Sequence, residues 1–408
     1  MPDQDVRDYH PSFEHWLAAV SQRRTPELIC ADIGANNLRL LAASRRRGGT
    51  RELAIVNAGA WQTVANLQKM LGAVSRRVQA GRSVRWVLDL PGAVEWDPGR
   101  RDFFARLTSL PGQPALYRKR LERLVQGPLR IVNDGFAIGA AIIALHDSGR
   151  MHGTFVGPKG QEPPAAPNEA IGYLCPGTGV ASGLVLLEPT GAREARWVTR
   201  PMEIQHFPYP VLPGRERDRS WLAWVERQPD QPFRLEYPAC GLGLPRVYEW
   251  TYRRHARALK AQGAGEQLAA LRETHDEVGR APDAAEMVSR LAARRSADPA
   301  VREAVEFHLL ALARIAGNLA LQLPKGGIYL VGPNMLANRS VLLHCGFWDE
   351  YVHSTNLQED LLASIPVFLL DCSDPFCVTY LQLVGALWLA EHRFDVLNLP
   401  PTRRVRTG

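Results

Sequence analysis

The chain lacks four features, each of which would have pointed to a class of function. It has no C-x-x-C pair and no Cys/His spacing of a zinc site. Its six cysteines, Cys30, Cys175, Cys240, Cys345, Cys372 and Cys377, are scattered through 408 residues. It has no long apolar stretch: the longest runs, 135–145 and 381–390, are too short to span a bilayer. The start is polar and charged, without the apolar centre of a secretory signal. It also has no concentrated basic stripe. Arg45-Arg46-Arg47, Arg294-Arg295 and Arg403-Arg404 are far apart, which argues against a nucleic-acid partner. The net charge of +7 is spread thinly and suits a polyanionic metabolite such as a nucleotide. These absences predict a protein of the reducing cytoplasm with no membrane partner.

What is present is ordinary globular composition, 46% hydrophobic and 22% charged. The length exceeds one ordinary core and predicts two or three domains. Residues 1–25 are polar, with one short amphipathic patch (Phe13, Trp16, Leu17, Val20), and read as an extension. Structure begins at 27–33, an apolar run ending near Asp32. A tight Gly34-Ala35-Asn36-Asn37 turn leads to a second run, 38–43, as in a hairpin. A strand at 52–56 and a helix at 64–78 follow, the helix with Leu67, Met70, Leu71 and Val74 on one face. Further along, a strand at 84–90, a helix at 115–125 and a strand at 129–132 lead to Asn133-Asp134 and a very apolar helix. This alternation predicts an α/β sheet, whose ligands gather at the carboxyl ends of strands. Asp32 and Asp134 both sit at such ends. A meander covers 171–198, and helices dominate 215–322. The clearest helix is 298–323, with Asp298 as N-cap and Pro299 at N1. A strand at 328–331 ending at Gly332, a strand at 367–370 and a helix at 375–392 complete the pattern.

Four places carry chemistry. The turn Asp32-Ile33-Gly34-Ala35-Asn36-Asn37-Leu38-Arg39 would let backbone N–H groups approach an anion, and Asp32 would hold Mg²⁺ through water. Pro176-Gly177-Thr178-Gly179 is a second glycine turn between two strands. Two such turns can clamp a triphosphate from both sides, although each alone is equally a plain hairpin. Asn133-Asp134 hands a strand to a helix, so Asp134 is either an N-cap or a base for an incoming hydroxyl. Glu203-Ile204-Gln205-His206 and Glu236 offer carboxylates and an imidazole, the usual partners of several sugar hydroxyls.

In this order the motifs resemble the bacterial glucokinase family over about residues 27–392. Residues 32–39 and 174–183 resemble its two phosphate motifs. Asn133 and Asp134 match its sugar-binding and catalytic pair, Glu203 and His206 its Glu-Gly-Gly-His, and Glu236, ahead of Cys240-Gly241-Leu242-Gly243-Leu244, its third acidic sugar ligand. Gly317-Asn318-Leu319-Ala320-Leu321 and 328–332 resemble the helix and strand at its adenosine site. The related repressor–kinase group carries a Cys-rich zinc motif that is absent here.

The resemblance implies a two-lobed, actin-like or hexokinase-type (ribonuclease H-like) α/β fold with a cleft between lobes. The smaller lobe would hold 26–139, completed by a C-terminal helix within 374–398, and the larger 140–373. ATP and Mg²⁺ would be used, with phosphates at Asp32, Gly34, Ala35, Asn36, Asn37, Arg39, Gly177, Thr178 and Gly179, and adenosine near Gly332. Glucose or a related hexose would be held by Asn133, Asp134, Glu203, His206 and Glu236, and phosphorylated at its 6-hydroxyl. The resemblance also implies a homodimer. The chain departs from the family at Ala35-Asn36 (Gly-Thr in the family), at Ile204-Gln205 (Gly-Gly), at Pro333 (Gly), and at 95–99, where a Thr-Asn sugar contact is missing. These departures motivate two alternatives: a sugar-binding sensor without phosphoryl transfer, and a kinase with another sugar or donor.

Overall fold

Residues 28–33 are buried throughout, as a strand covered on both faces must be, and they form the middle of the first sheet. The computed structural model describes residues 6–22, 26–34, 37–45, 51–78, 84–107, 110, 112–164, 170–189, 195–209, 215–228, 234–294, 298–355, 358–372 and 374–399. The chain divides into two units, Met1–Arg150 with Tyr380–Gly408, and Met151–Thr379.

In the first unit the elements are β1 (Val6–His10), α1 (Phe13–Gln22), β2 (Leu28–Ile33), β3 (Leu38–Arg45), β4 (Arg51–Asn57), α2 (Val64–Val78), β5 (Arg85–Leu90), β6 (Val94–Asp97), β7 (Asp102–Arg106), β8 (Ala115–Tyr117), α3 (Arg118–Val125), β9 (Leu129–Asn133) and α4 (Asp134–Asp147). The main sheet has the order β1-β4-β3-β2-β5-β9. The pairs β2–β5 and β5–β9 are parallel, so the carboxyl ends of three neighbouring strands lie side by side. Helix α4 is buried on nearly every side, which explains why its sequence shows no polar face.

Three expectations are corrected here. The segment read as an extension is part of the fold. β1 pairs in parallel with β4, and α1 buries Trp16, whose Nε1 donates to the Ala54 carbonyl at 3.0 Å. The predicted helix at 115–125 begins three residues late, because Leu116 is buried in a small sheet of order β6-β7-β8. The unit boundary also falls beyond α4 rather than at 139, since the whole of α4 packs within the first unit.

The second unit runs through β10 (His152–Phe155), β11 (Ala170–Pro176), β12 (Val180–Pro189), β13 (Ala195–Met202), a 3₁₀ turn (Ile204–His206), α5 (Glu216–Val225), α6 (Glu236–Ala239), α7 (Leu244–Ala261), α8 (Gly265–Arg280), α9 (Ala284–Ala292), α10 (Pro299–Ala320), β14 (Ile328–Leu330), α11 (Pro333–Ala337), α12 (Arg339–Leu342), α13 (Phe347–Val352), α14 (Glu359–Ala363), β15 (Val367–Asp371) and α15 (Pro375–Thr379). Its sheet has the order β10-β15-β14-β11-β12-β13. Asp298 caps α10 by accepting from the Ala300 N–H at 2.8 Å, with Pro299 in the first turn where its missing N–H is harmless. The core of this unit encloses an ion cluster. Arg314 of α10 donates to Asp218 of α5 at 2.8 Å and to Glu350 of α13 at 2.6 Å. Arg215 also pairs with Glu350, and the Tyr209 hydroxyl donates to Asp218 at 3.1 Å.

The chain then returns to the first unit with α16 (Leu381–His392) and a 3₁₀ turn (Phe394–Val396). The helix predicted at 375–392 is therefore two helices, broken at Tyr380. Helix α16 crosses α4 at Gly385, where an added Cβ would stand 1.8 Å from the Ala137 carbonyl oxygen. Among the described residues, no helix is long and apolar enough to cross a membrane.

Candidate active site

In the first unit, the strand ends bring carboxylates together by register. Asp32 on β2 is the partner of Asp89 on β5, and Asp89 that of Val132 on β9, one residue before Asn133. Asp32 is buried and accepts from Arg39 Nη1 at 3.0 Å across the β2–β3 hairpin. Burial raises the Asp32 carboxyl, and the Arg39 guanidinium works against that rise. The turn closes with Gly34 N–H donating to the Asn37 carbonyl at 2.9 Å, and Trp61 Nε1 donates to the Gly34 carbonyl at 2.9 Å. Ala35 and Asn36 lie outside the described residues.

Asp89 was not singled out by the sequence. It is 1% exposed, and among the described residues neither of its carboxylate oxygens has a hydrogen-bond partner. Burial, with Asp32 and Asp134 nearby, pushes its carboxyl well above the usual carboxylate range. Burial beside two other carboxylates disfavours the charged form of Asp89, and a divalent cation beside it would favour that form. Two adjacent carboxylates, one of them unpartnered, fit a magnesium ion, which Asp32 and Asp89 would hold. Such an ion takes one or two carboxylates and keeps several waters.

At the end of β9, Asn133 is the N-cap of α4: its Oδ1 accepts from the Phe136 N–H at 3.2 Å. Its Nδ2 donates to the Gly92 carbonyl at 3.2 Å and to Asp134 Oδ1 at 2.8 Å. Asp134 follows as the first helical residue and also accepts from the Gly135 N–H at 2.8 Å. Asn133, not Asp134, thus holds the helix end. At 95–99, Asp97 serves its own turn, accepting from the Gly99 and Arg100 N–H groups at 2.9 and 3.0 Å.

In the second unit, the turn Gly177-Thr178-Gly179 joins β11 to β12, with Gly177 N–H donating to the Gly179 carbonyl at 2.7 Å. β13 ends at Met202, and the 3₁₀ turn Ile204–His206 follows after Glu203. Ile204 turns into the core, while buried Gln205 accepts from the Ser182 hydroxyl at 2.7 Å and donates to Glu203 Oε2 at 2.7 Å. The two residues that stand where the family has glycines are therefore one core anchor and one hydrogen-bonded brace. His206 lies between two carboxylates, Nε2 at 3.0 Å from Glu203 and Nδ1 at 3.0 Å from Glu236. The structure thus gathers Glu203, His206 and Glu236 into one polar cluster. A cluster of carboxylates and imidazole offers both acceptors and a donor to adjacent hydroxyls.

Helix α6, which carries Glu236, is pinned from behind. His308 of α10 is 4% exposed, and its Nδ1 lies 2.8 Å from the Pro238 carbonyl oxygen. Burial lowers the His308 pKa to about 4, although the bond to Pro238 opposes this. The ordinary value is about 6.5, so unfolding takes up a proton between those values. Stability should be complete above about pH 6.5 and decline by about 3 kcal/mol in all as the pH falls toward 4. Urea denaturation at a series of pH values checks this, and His308→Asn should flatten the profile over that window.

After β14, Gly332 has φ of 104°, a conformation that favours glycine, and Pro333 opens α11 at N1. The N–H that Pro333 lacks is one that a helix start leaves unused.

The fold these units form is the α/β, actin-like fold of hexokinase-type proteins. It is matched by the glucose complex of glucokinase from Balamuthia mandrillaris, with a TM-score of 0.68 and 21% identity over 92% of this chain and 98% of that one. Glucokinase from Leishmania braziliensis matches at 0.56 and 16% identity, over 95% and 99% of the two chains. A ROK-family transcriptional regulator, a homologue of the E. coli MLC protein, matches at 0.55 and 12% identity, over 90% and 79%. No curated protein sequence matches the chain. The family model for glucokinase matches residues 29–377, and the chain belongs to the glucokinase family.

Proposed function

We propose that this protein transfers the γ-phosphoryl group of ATP to the 6-hydroxyl of glucose or a closely related hexose, the first step in using that sugar. The observation that carries the reading is the division of labour at β9–α4. Asn133 caps the helix, so the Asp134 carboxylate at its first turn is not needed to hold the helix end.

In this reading Asn133, Glu203, His206 and Glu236 hold the sugar hydroxyls. Asp134 accepts the proton of the 6-hydroxyl as the oxygen attacks phosphorus. Backbone N–H groups of the two glycine turns, with Arg39 beside the first, receive the phosphates. Mg²⁺, held through water by Asp32 with Asp89 beside it, would neutralise the charge that develops on the phosphates. All six cysteines carry free thiols, which suits a reducing cytoplasm.

The test is coupled ADP release by purified protein with ATP, Mg²⁺ and glucose, then with other hexoses and phosphoryl donors. Sugar-dependent release is the expected result. The loss of a phosphate-binding hydroxyl at Ala35-Asn36 favours the second reading, a sugar-binding regulator. Calorimetric glucose binding without turnover on any donor would select that reading and sink the first.

A further inference from the structure

Both carboxylate oxygens of Glu236 are engaged, and by different parts of the second unit. Oε1 accepts from the Val180 N–H at 2.9 Å, the first residue after the Gly-Thr-Gly turn, and Oε2 lies 3.0 Å from His206 Nδ1. The approach is close: a methyl group on Gly179 would stand 2.7 Å from Oε1. The residues after Glu236 meet the same turn twice more. Gly241 N–H donates to the Gly177 carbonyl at 2.7 Å, and Leu242 N–H to the Thr178 carbonyl at 3.3 Å. The turn is therefore braced by residues 236–242, and the strongest brace is ionic, because a carboxylate accepting a backbone N–H makes a charge-assisted bond.

We propose that Glu236 is a positioning residue for the Gly177–Val180 turn as well as a sugar ligand, so that one carboxylate joins the sugar cluster to a phosphate-binding turn. The inference rests on the reading of these two places given above. It deepens that reading by naming the residue through which sugar and nucleotide affect each other's binding. A hydroxyl that engages Oε2 shifts the same side chain whose Oε1 sets the height of the turn. By linkage, whatever affinity the nucleotide gains from bound sugar, the sugar gains from bound nucleotide.

Two substitutions separate positioning from simple sugar contact. Glu236→Gln keeps an amide oxygen for the Val180 N–H and loses the charge offered to the sugar. Glu236→Ala loses both. Hydrogen exchange of the Val180 amide in the free protein should rise by less than about tenfold in Glu236→Gln, which keeps a neutral acceptor, and by about ten- to hundredfold in Glu236→Ala, on the usual weight of a hydrogen bond to a charged group. The KM for MgATP should follow the same order, rising about tenfold only in Glu236→Ala, while the KM for sugar rises in both. Gly179→Ala, which crowds the bond from the other side with Glu236 intact, should reproduce the exchange and MgATP effects. Wild-type exchange and an unchanged MgATP KM in folded Glu236→Ala would overturn the proposal, and so would equal MgATP effects in the Gln and Ala variants. Absence of turnover in the wild type would sink the kinase reading instead, and the exchange comparison would still decide whether Glu236 positions the turn.

Discussion

Replacing Asp134 with asparagine should lower turnover by about 10²–10⁴-fold and leave glucose affinity within about threefold. That range is the usual weight of a positioned general base. The loss would report chemistry rather than unfolding, for a reason visible at the helix end. The capping bond to Phe136 comes from Asn133, and an amide oxygen at position 134 can still accept from the Gly135 N–H. Helix α4 should keep its stability, and the thermal midpoint should move by no more than a few degrees. The contrasting change, Asn133→Ala, removes the cap and should cost about 1 kcal/mol. Coupled ADP release, calorimetry with glucose and a thermal melt on the same preparation check all three statements. Turnover within tenfold of wild type in Asp134→Asn would remove Asp134 from the base role and leave positioning and charge neutralisation to explain any rate.

The parts of this arrangement that were legible in the sequence are those with local signals. Asp32 and Asp134 could be read because each ends an apolar run just before a turn or a helix start. The cap at Asp298 could be read because Pro299 follows it. Asp89 could not, because it sits inside Trp-Val-Leu-Asp-Leu and reads as core. Only the parallel register of β2 and β5 sets it opposite Asp32. β1 read as a tail because an edge strand needs only one buried side, and Val-Arg-Asp-Tyr-His shows little apolar pattern. The Glu236–Val180 bond spans 56 residues of sequence and leaves no mark on either segment. Ile204 and Gln205 read as damage to a glycine pair. Their compensation, a core contact and a bond from the Ser182 hydroxyl, depends on a strand residue 23 positions before Gln205.

Arg314→Met should destabilise the second unit by about 3–5 kcal/mol, the usual cost of removing one partner from a buried ion cluster. The three charged groups are nearly inaccessible: Arg314 is 2% exposed, Asp218 1% and Glu350 3%. The guanidinium serves both carboxylates and lies 5.0 Å from the centre of the Tyr209 ring. Its removal leaves Asp218 with the Tyr209 hydroxyl and Glu350 with half-buried Arg215, so two carboxylates lose their central counter-charge at once. Lysine is no substitute, because one ammonium on a flexible stem cannot reproduce two divergent N–H directions. The cluster ties α10 to α5 and α13, so its loss should loosen all three helices together, seen as faster amide exchange in each. Urea denaturation of Arg314→Met gives the size of the effect. The triple variant Arg314→Met, Asp218→Asn, Glu350→Gln tests its origin: with no carboxylate left unbalanced, it should recover a large part of the loss. A triple variant no more stable than Arg314→Met would place the cost in lost packing around the guanidinium stem instead of in stranded charge.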